Sequence, residues 1–189
     1  MFKVPIARSD IHIHLKPSDI DILFGKEHKL TNIKNLTIPG NYACSETVRV
    51  TGPSGFIDGV VVVGPARPYS QVEVSITNAL TLGIQPPVRL SGNLKDSETL
   101  KIEGPAGSIE LKQGVIVAAR HIHMHSKDAD KLGLKSGDVV KVRVPGPRAL
   151  TFENVAIKAG DDQALEMHVD FDEGHAAGIE DFQEVDLIL

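Results

Sequence analysis

The sequence predicts a mainly β protein built from two similar small β-barrels, each capped by short α-helices. Most apolar segments are short, rich in Val and Ile and bounded by Gly or Pro, as in residues 47–52, 60–65 and 139–146, and such segments favour strands. Turn residues recur roughly every 8–12 residues, which is typical of barrels and sandwiches. The chain also matches itself in three places, and this indicates an internal duplication.

Four short helices are predicted from the residues that would end them. They span residues 19–24, 77–82, 127–132 and 172–177. Ser18 and Ser126 are the predicted caps of the first and third, because a hydroxyl can accept a hydrogen bond from the first turn. A glycine follows each of the four segments, as is common after a helix. The tail, residues 180–189, is predicted to form a last strand.

The internal repeat has three matching parts. His12-Ile13-His14 matches His121-Ile122-His123, and an acid and a leucine follow each motif at equal distances. Residues 47–55 match residues 99–107, each ending in a Gly-Pro-x-Gly segment. These segments lack the lysine and the strand–loop–helix context of a phosphate loop, so hairpin turns are predicted there.

The third match adds one residue to each half. Residues 71–84 align with residues 166–179, so that Glu73 and His168 each stand ten residues before a glycine. Each half of the chain therefore offers a His-x-His pair and one later residue of a metal-binding type.

These residues form two candidate metal sites. On a strand, residues i and i+2 point to the same face, so both imidazoles of a His-x-His pair can bind one ion. Glu73 would complete a set with His12 and His14, and His168 would complete a set with His121 and His123. Two histidines with a carboxylate, or three histidines, leave a coordination position open, as in catalytic zinc sites. The alternative is a purely structural repeat, which gives no reason for Glu73 and His168 to share a position.

Two arginines lie near these sets in the sequence. Arg67 precedes Glu73 by six residues, and its guanidinium can bind a phosphate through two parallel hydrogen bonds; a solvated surface arginine is the alternative. Arg120 directly precedes His121, so on a strand its side chain faces away from the imidazoles and supports the site rather than reacting.

Composition argues against several other classes of function. The formal net charge is −5, aromatic residues make up 4% and tryptophan is absent, so neither the phosphate-neutralising surface nor the stacking platforms of nucleic-acid-binding proteins are predicted. No apolar run is long enough to cross a bilayer, so no membrane partner is expected. The single cysteine, Cys44, fits a reducing compartment, and we expect a cytoplasmic protein.

Taken together, the motifs HIHL, GPAR, QVEVS, GVIVA, RHIHM and LEMHVD resemble those of the PduL-type phosphotransacylases, the phosphate propanoyltransferases. The resemblance runs from about Val4 to Gly178. It implies two barrels, one formed by residues 1–10 and 119–189 and the other by residues 11–118, with the active site between them. The family carries Arg more often than Ile11 before its first His-x-His pair, and His125 replaces a more usual polar residue.

The same resemblance implies the activity and its ligands. The expected enzyme is an acyltransferase of propanediol utilization that moves a short acyl group, acetyl or propanoyl, between coenzyme A and phosphate at a dinuclear metal site. His12, His14 and Glu73 would hold one divalent ion, expected to be Zn²⁺, and His121, His123 and His168 the other. Arg67 matches the phosphate-binding arginine. A homodimer is expected, and the eleven residues before His12 suggest a member without a microcompartment-targeting extension.

The residues leave two other functions open. A metal-dependent hydrolase would use the same ions to activate water against acyl-CoA or another ester. A metal- or ligand-binding sensor would bind the ions without turnover, but the sequence supplies no effector domain for it.

Overall fold

The computed structural model describes residues 2–189, which form fourteen strands and four short helices. The strands are β1 (Phe2–Ser9), β2 (His12–His14), β3 (Asn32–Asn35), β4 (Tyr42–Thr51), β5 (Phe56–Gly64), β6 (Gln71–Val74), β7 (Val88–Arg89), β8 (Glu98–Glu103), β9 (Ser108–Ala118), β10 (His121–His125), β11 (Val139–Val144), β12 (Leu150–Gly160), β13 (Glu166–Asp170) and β14 (Gln183–Ile188). The helices are α1 (Pro17–Phe24), α2 (Ile76–Leu82), α3 (Ser126–Leu132) and α4 (Phe171–Ala177).

The described chain divides into two compact units. One contains the residues up to Asp10 together with Thr37–Pro39 and Ala119–Leu189, and the other contains Ile11–Leu36 and Gly40–Ala118. Each unit has its own apolar core. We call the first unit barrel 1 and the second unit barrel 2.

Each unit contains a closed ring of six strands. In barrel 1 the ring runs β1–β13–β10–β12–β11–β14 and returns to β1. In barrel 2 it runs β9–β6–β2–β5–β4–β8 and returns to β9, with β3 and β7 added outside the ring. The predicted mainly β fold with two barrels and short helices is thereby confirmed.

The two rings match strand for strand. In barrel 2, β6 pairs antiparallel with β2 and parallel with β9; in barrel 1, β13 pairs antiparallel with β10 and parallel with β1. The strand β1 therefore holds the place in barrel 1 that β9 holds in barrel 2. Because β1 leads into the first His-x-His motif and β9 into the second, each repeat supplies its first strand to the barrel of the other repeat.

The four predicted helices are present, but two of their caps differ from the prediction. Ser18 lies inside α1, which begins at Pro17, and its cap residue is Lys16. A proline is favoured at the first position of a helix, since its missing N–H would have no partner there. Ser126 is the first residue of α3, and the side chain of His125 accepts the capping hydrogen bond from the Lys127 N–H.

The Gly-Pro-x-Gly segments are hairpin turns, as predicted, and they join β4 to β5 and β8 to β9. A side chain at Gly52 would meet the Leu82 carbonyl oxygen at 2.3 Å, and one at Gly104 would meet that of Leu23 at 2.4 Å. Glycine is required at both turns because each packs against the end of a helix, α2 or α1.

No helix within residues 2–189 has both the length and the apolar character needed to span a membrane.

Candidate metal centres

Strand register brings the first predicted ligand set together. His12 in β2 lies directly opposite Glu73 in β6, and His14 lies two residues further along the same strand face. The ligand atoms of His12, His14 and Glu73 all lie within 4.8 Å of one another. We call this group the mixed cluster.

The mixed cluster is partly buried and oriented by hydrogen bonds. The Nε2 atoms of His12 and His14 lie 3.5 and 4.0 Å from the two carboxylate oxygens of Glu73. His14 donates from Nδ1 to the Val63 carbonyl oxygen at 2.9 Å. A carbonyl oxygen can only accept, so Nδ1 carries a proton and Nε2 is the nitrogen that faces Glu73.

Arg67 is linked to the mixed cluster by a chain of hydrogen bonds. Its Nη1 donates to the hydroxyl oxygen of Ser91 at 3.3 Å. The fully buried Gln71 donates from Nε2 to the same oxygen at 2.9 Å and to Glu73 at 2.6 Å. The Arg67 N–H also donates to the Leu15 carbonyl oxygen. The loop between β5 and β6 thus holds a guanidinium two side chains away from a candidate metal ligand.

The second predicted set is built by the same register in barrel 1. His121 in β10 lies opposite His168 in β13, as His12 lies opposite Glu73. The ligand atoms of His121, His123 and His168 lie within 4.8 Å of one another, and the ring centroids are 4.7–5.2 Å apart. We call this group the three-histidine cluster.

Two of these imidazoles are oriented so that their lone pairs converge. His121 donates from Nδ1 to the Ala119 carbonyl oxygen at 2.8 Å, and His123 donates from Nδ1 to the side-chain oxygen of Gln163 at 2.5 Å. Gln163 itself donates to Asp162, which fixes the direction of its amide. The two Nε2 atoms lie 3.0 Å apart. In neutral imidazoles that donate from Nδ1, both Nε2 atoms present lone pairs, and a shared cation would stabilise this close approach.

Burial keeps His121 neutral. Desolvation lowers the pKa of His121 well below the ordinary value of 6.5, and the nearby charges of His168, Lys158 and His123 lower it further. A neutral imidazole is the form that binds a metal ion. The three-histidine donor set and the neutral state of His121 therefore fit a divalent cation such as zinc.

The guanidinium of Arg120 binds groups outside the three-histidine cluster. Its Nε lies 2.7 Å from a carboxylate oxygen of Glu173, and its Nη1 donates to the Glu153 carbonyl oxygen. The guanidinium is also 5.3 Å from the centre of the Phe152 ring. Arg120 thus ties the start of β10 to the first turn of α4.

Glu173 makes the stability of barrel 1 depend on pH. The pKa of Glu173 is raised from 4.5 to about 7, chiefly by burial and next by the charge of Asp170, while the charge of Arg120 opposes the rise. The folded protein then holds a proton that the unfolded chain has released, so the free energy of unfolding falls as pH rises from about 4.5 to about 7. We expect Glu173→Gln, which keeps the capping box with Asp170, to remove about 1–2 kcal/mol of that fall.

Chemical denaturation of Glu173→Gln at several pH values would measure this effect. Glu184→Gln in β14, an exposed carboxylate of the same barrel, should leave the pH profile unchanged. Equal profiles for Glu173→Gln and the unsubstituted protein would contradict the assignment.

Several of the side chains that shape the clusters were missed by sequence analysis. Gln71 and Glu166 lie at equal places in the repeat and on the faces of their clusters, so the repeat alignment held a signal for both. Ser91 and Gln163 lie in loops, where no periodic pattern points to them. Two unassigned histidines have other partners: His28 contacts Glu46 and His125 caps α3.

Comparison with known proteins agrees with the motifs. A family model described as phosphate propanoyltransferase matches residues 5–180. A phosphate propanoyltransferase of Rhodobacter capsulatus is 48% identical over 94% of this chain and 82% of its own length. The enzyme of Thermotoga maritima is 49% identical over 91% of this chain and 82% of its own length. The enzyme of Salmonella typhimurium is 47% identical over 93% of this chain and 83% of its own length. The chain belongs to the phosphate propanoyltransferase family, a family of acyltransferases.

Proposed function

We propose that this enzyme reversibly transfers a short acyl group, propanoyl or acetyl, between coenzyme A and inorganic phosphate. In the forward direction a phosphate oxygen forms a bond to the thioester carbonyl carbon. The carbon–sulfur bond breaks, and the products are an acyl phosphate and the thiolate of coenzyme A. The relatives are phosphate propanoyltransferases, which favours propanoyl, but one methylene is worth only about 1–3 kcal/mol of discrimination.

The observation that carries the proposal is the link between Arg67 and the mixed cluster. Through Ser91 and Gln71 the guanidinium is held two hydrogen-bonded side chains from Glu73. An arginine binds phosphate through parallel charge-assisted hydrogen bonds. Arg67 would therefore hold the attacking phosphate and reduce the entropic cost of bringing two reactants together.

Two metal ions are part of the proposal, with zinc as the expected metal. The mixed cluster would hold one ion and the three-histidine cluster the other. When bound, such ions polarise a carbonyl or phosphoryl oxygen and stabilise a departing thiolate.

Direct attack by phosphate needs no nucleophile from the enzyme. Cys44, the only cysteine of the chain, is 1% exposed, and burial raises its pKa to about 11. A protonated, buried thiol is a poor nucleophile. This supports a single displacement over a mechanism with an acyl-enzyme on cysteine.

Trapping the product with hydroxylamine tests the function. The zinc-loaded enzyme, given propanoyl-CoA and phosphate, should form one acyl phosphate, detected as the hydroxamate, for each coenzyme A released. If coenzyme A were released when no phosphate is added to the assay, and no hydroxamate formed, the enzyme would be the alternative, a hydrolase. Metal bound with no turnover of propanoyl-CoA or acetyl-CoA would overturn both activities.

We also propose a cytoplasmic homodimer. The single reduced cysteine supports a reducing compartment, and homodimers are the commonest oligomers. Light scattering of the purified enzyme would measure the mass.

A further inference from the structure

Glu166 is a buried carboxylate that the proposed function does not use. It lies in β13 two residues before His168 and is 4% exposed. Its Oε2 lies 2.6 Å from the Nε2 of His168. Its Oε1 is buried and has no hydrogen-bond partner among the described residues. Burying a carboxylate oxygen without a hydrogen-bond partner lowers the stability of the fold, so such a group in a native protein calls for an explanation.

The other barrel holds Gln71 at the equivalent position. Glu166 lies opposite His123 in the strand register, and Gln71 lies opposite His14. Gln71 contacts Glu73, and Glu166 contacts His168. In both cases the partner lies two residues further along the same strand, at a distance of 2.6 Å. The same local geometry thus occurs twice, with different chemistry.

The chemistry differs in a way that matches each ligand. The carboxylate of Glu73 can only accept hydrogen bonds, and its neighbour on that face, Gln71, is an amide that donates one. His168 is an imidazole with an N–H to give, and the residue before it is a carboxylate that accepts. Each cluster, counted together with Gln71 or Glu166, therefore contains one carboxylate. In the mixed cluster it is the candidate ligand, Glu73, and beside the three-histidine cluster it is the neighbouring residue, Glu166.

We propose that Glu166 is the positioning residue of the three-histidine cluster and supplies a negative charge that imidazole ligands do not bring to a metal ion. The inference rests on the proposed metal binding. By accepting the Nε2–H of His168, Glu166 fixes the tautomer in which Nδ1 is the metal-binding atom. His121 and His123 are fixed in the opposite sense, with Nδ1 bonded to Ala119 and Gln163. Ligating histidines commonly donate their second nitrogen in this way, and such partners change metal affinity about 10–100-fold.

Metal titration of a chain with one working cluster tests the role. In a His14→Ala/Glu73→Ala background, only the three-histidine cluster should bind Zn²⁺, measured by competition with a chromophoric chelator. Adding Glu166→Gln, which keeps an acceptor but loses the charge, should weaken Zn²⁺ binding about 10-fold. Adding Glu166→Met, which loses both, should weaken it by up to about 100-fold. Glu184→Gln is the matched control and should leave the affinity unchanged.

The tautomer of His168 is a second readout, independent of affinity. Long-range ¹H–¹⁵N spectra of the zinc-loaded background protein should show His168 protonated at Nε2 and metal-bound at Nδ1, and Glu166→Met should lose that pattern. Metal bound through Nε2, or equal Zn²⁺ affinities for both Glu166 variants and the control, would overturn the inference. A background protein that binds no Zn²⁺ would instead overturn the proposed metal assignment, so the two failures are distinguishable.

Discussion

Replacing Arg67 by alanine is expected to lower kcat/KM for phosphate by about 10²–10³-fold, because a preorganised group aimed at developing charge contributes about 3–4 kcal/mol. Steady-state kinetics with phosphate as the varied substrate would measure it. Arg67→Lys should recover only part of the loss, since an ammonium group cannot form two parallel hydrogen bonds to one phosphate. We expect a raised KM for phosphate in both variants, with a larger drop in kcat for Arg67→Ala.

The control for Arg67 is another arginine of the same barrel. Arg49 in β4 makes two hydrogen bonds to Asp58, at 2.6 and 2.9 Å, on the protein surface. Arg49→Ala removes an equal charge and should leave kcat/KM for phosphate unchanged. If the metal-loaded Arg67→Ala enzyme kept both its turnover number and its KM for phosphate, Arg67 would have no part in the reaction.

The barrels, the helices and the grouping of the candidate ligands were predictable because they depend on local periodicity and on the repeat. Short segments rich in Val and Ile indicate strands, and two residues that are two apart on a strand must share a face. His12 and His14, or His121 and His123, therefore had to point together if they lay on strands. The equal spacing of Glu73 and His168 to their glycines then identified the strand that each cluster needs.

Other features depend on contacts that no local pattern records. The pairing of β1 with β13 joins residues about 160 positions apart, and only resemblance to a known family placed the N-terminal strand in barrel 1. The cap of α1 was mispredicted because Pro17 sets the start of the helix and leaves Ser18 inside it. Ser91 was missed because its role comes from a tertiary contact between a loop and Arg67.

The two clusters show how a duplication keeps geometry while its chemistry changes. Opposite pairs in the register, His12 with Glu73 and His121 with His168, are the same in both barrels. The partners that orient the imidazoles differ between the barrels. His14 donates to a backbone carbonyl oxygen of β5, and His123 donates to the side chain of Gln163. Strand pairing fixes where each candidate ligand lies, and the surrounding polar groups decide which of its atoms would face a metal ion.

The largest expected effect follows from removing one ligand of a cluster. His123→Ala should lower the metal content from two ions per chain to one, because zinc sites in proteins need at least three protein ligands and only two imidazoles would remain. Acyl transfer should fall by at least about 10³-fold, since polarisation by a metal ion contributes several kcal/mol to catalysis. Elemental analysis after dialysis and the hydroxamate assay would measure the two effects.

His14→Ala should give the same result from the mixed cluster, and the double variant should hold no metal. Stripping both ions from the unsubstituted enzyme with a chelator should abolish acyl transfer, and zinc should restore it. His175→Ala is the matched control, because His175 lies exposed in α4 of barrel 1 and contacts only Phe171 among the ring contacts of the described residues. That variant should keep two ions and full activity. Two ions retained by His123→Ala, or full activity in the stripped enzyme, would contradict the assignment of the three-histidine cluster as a catalytic metal centre.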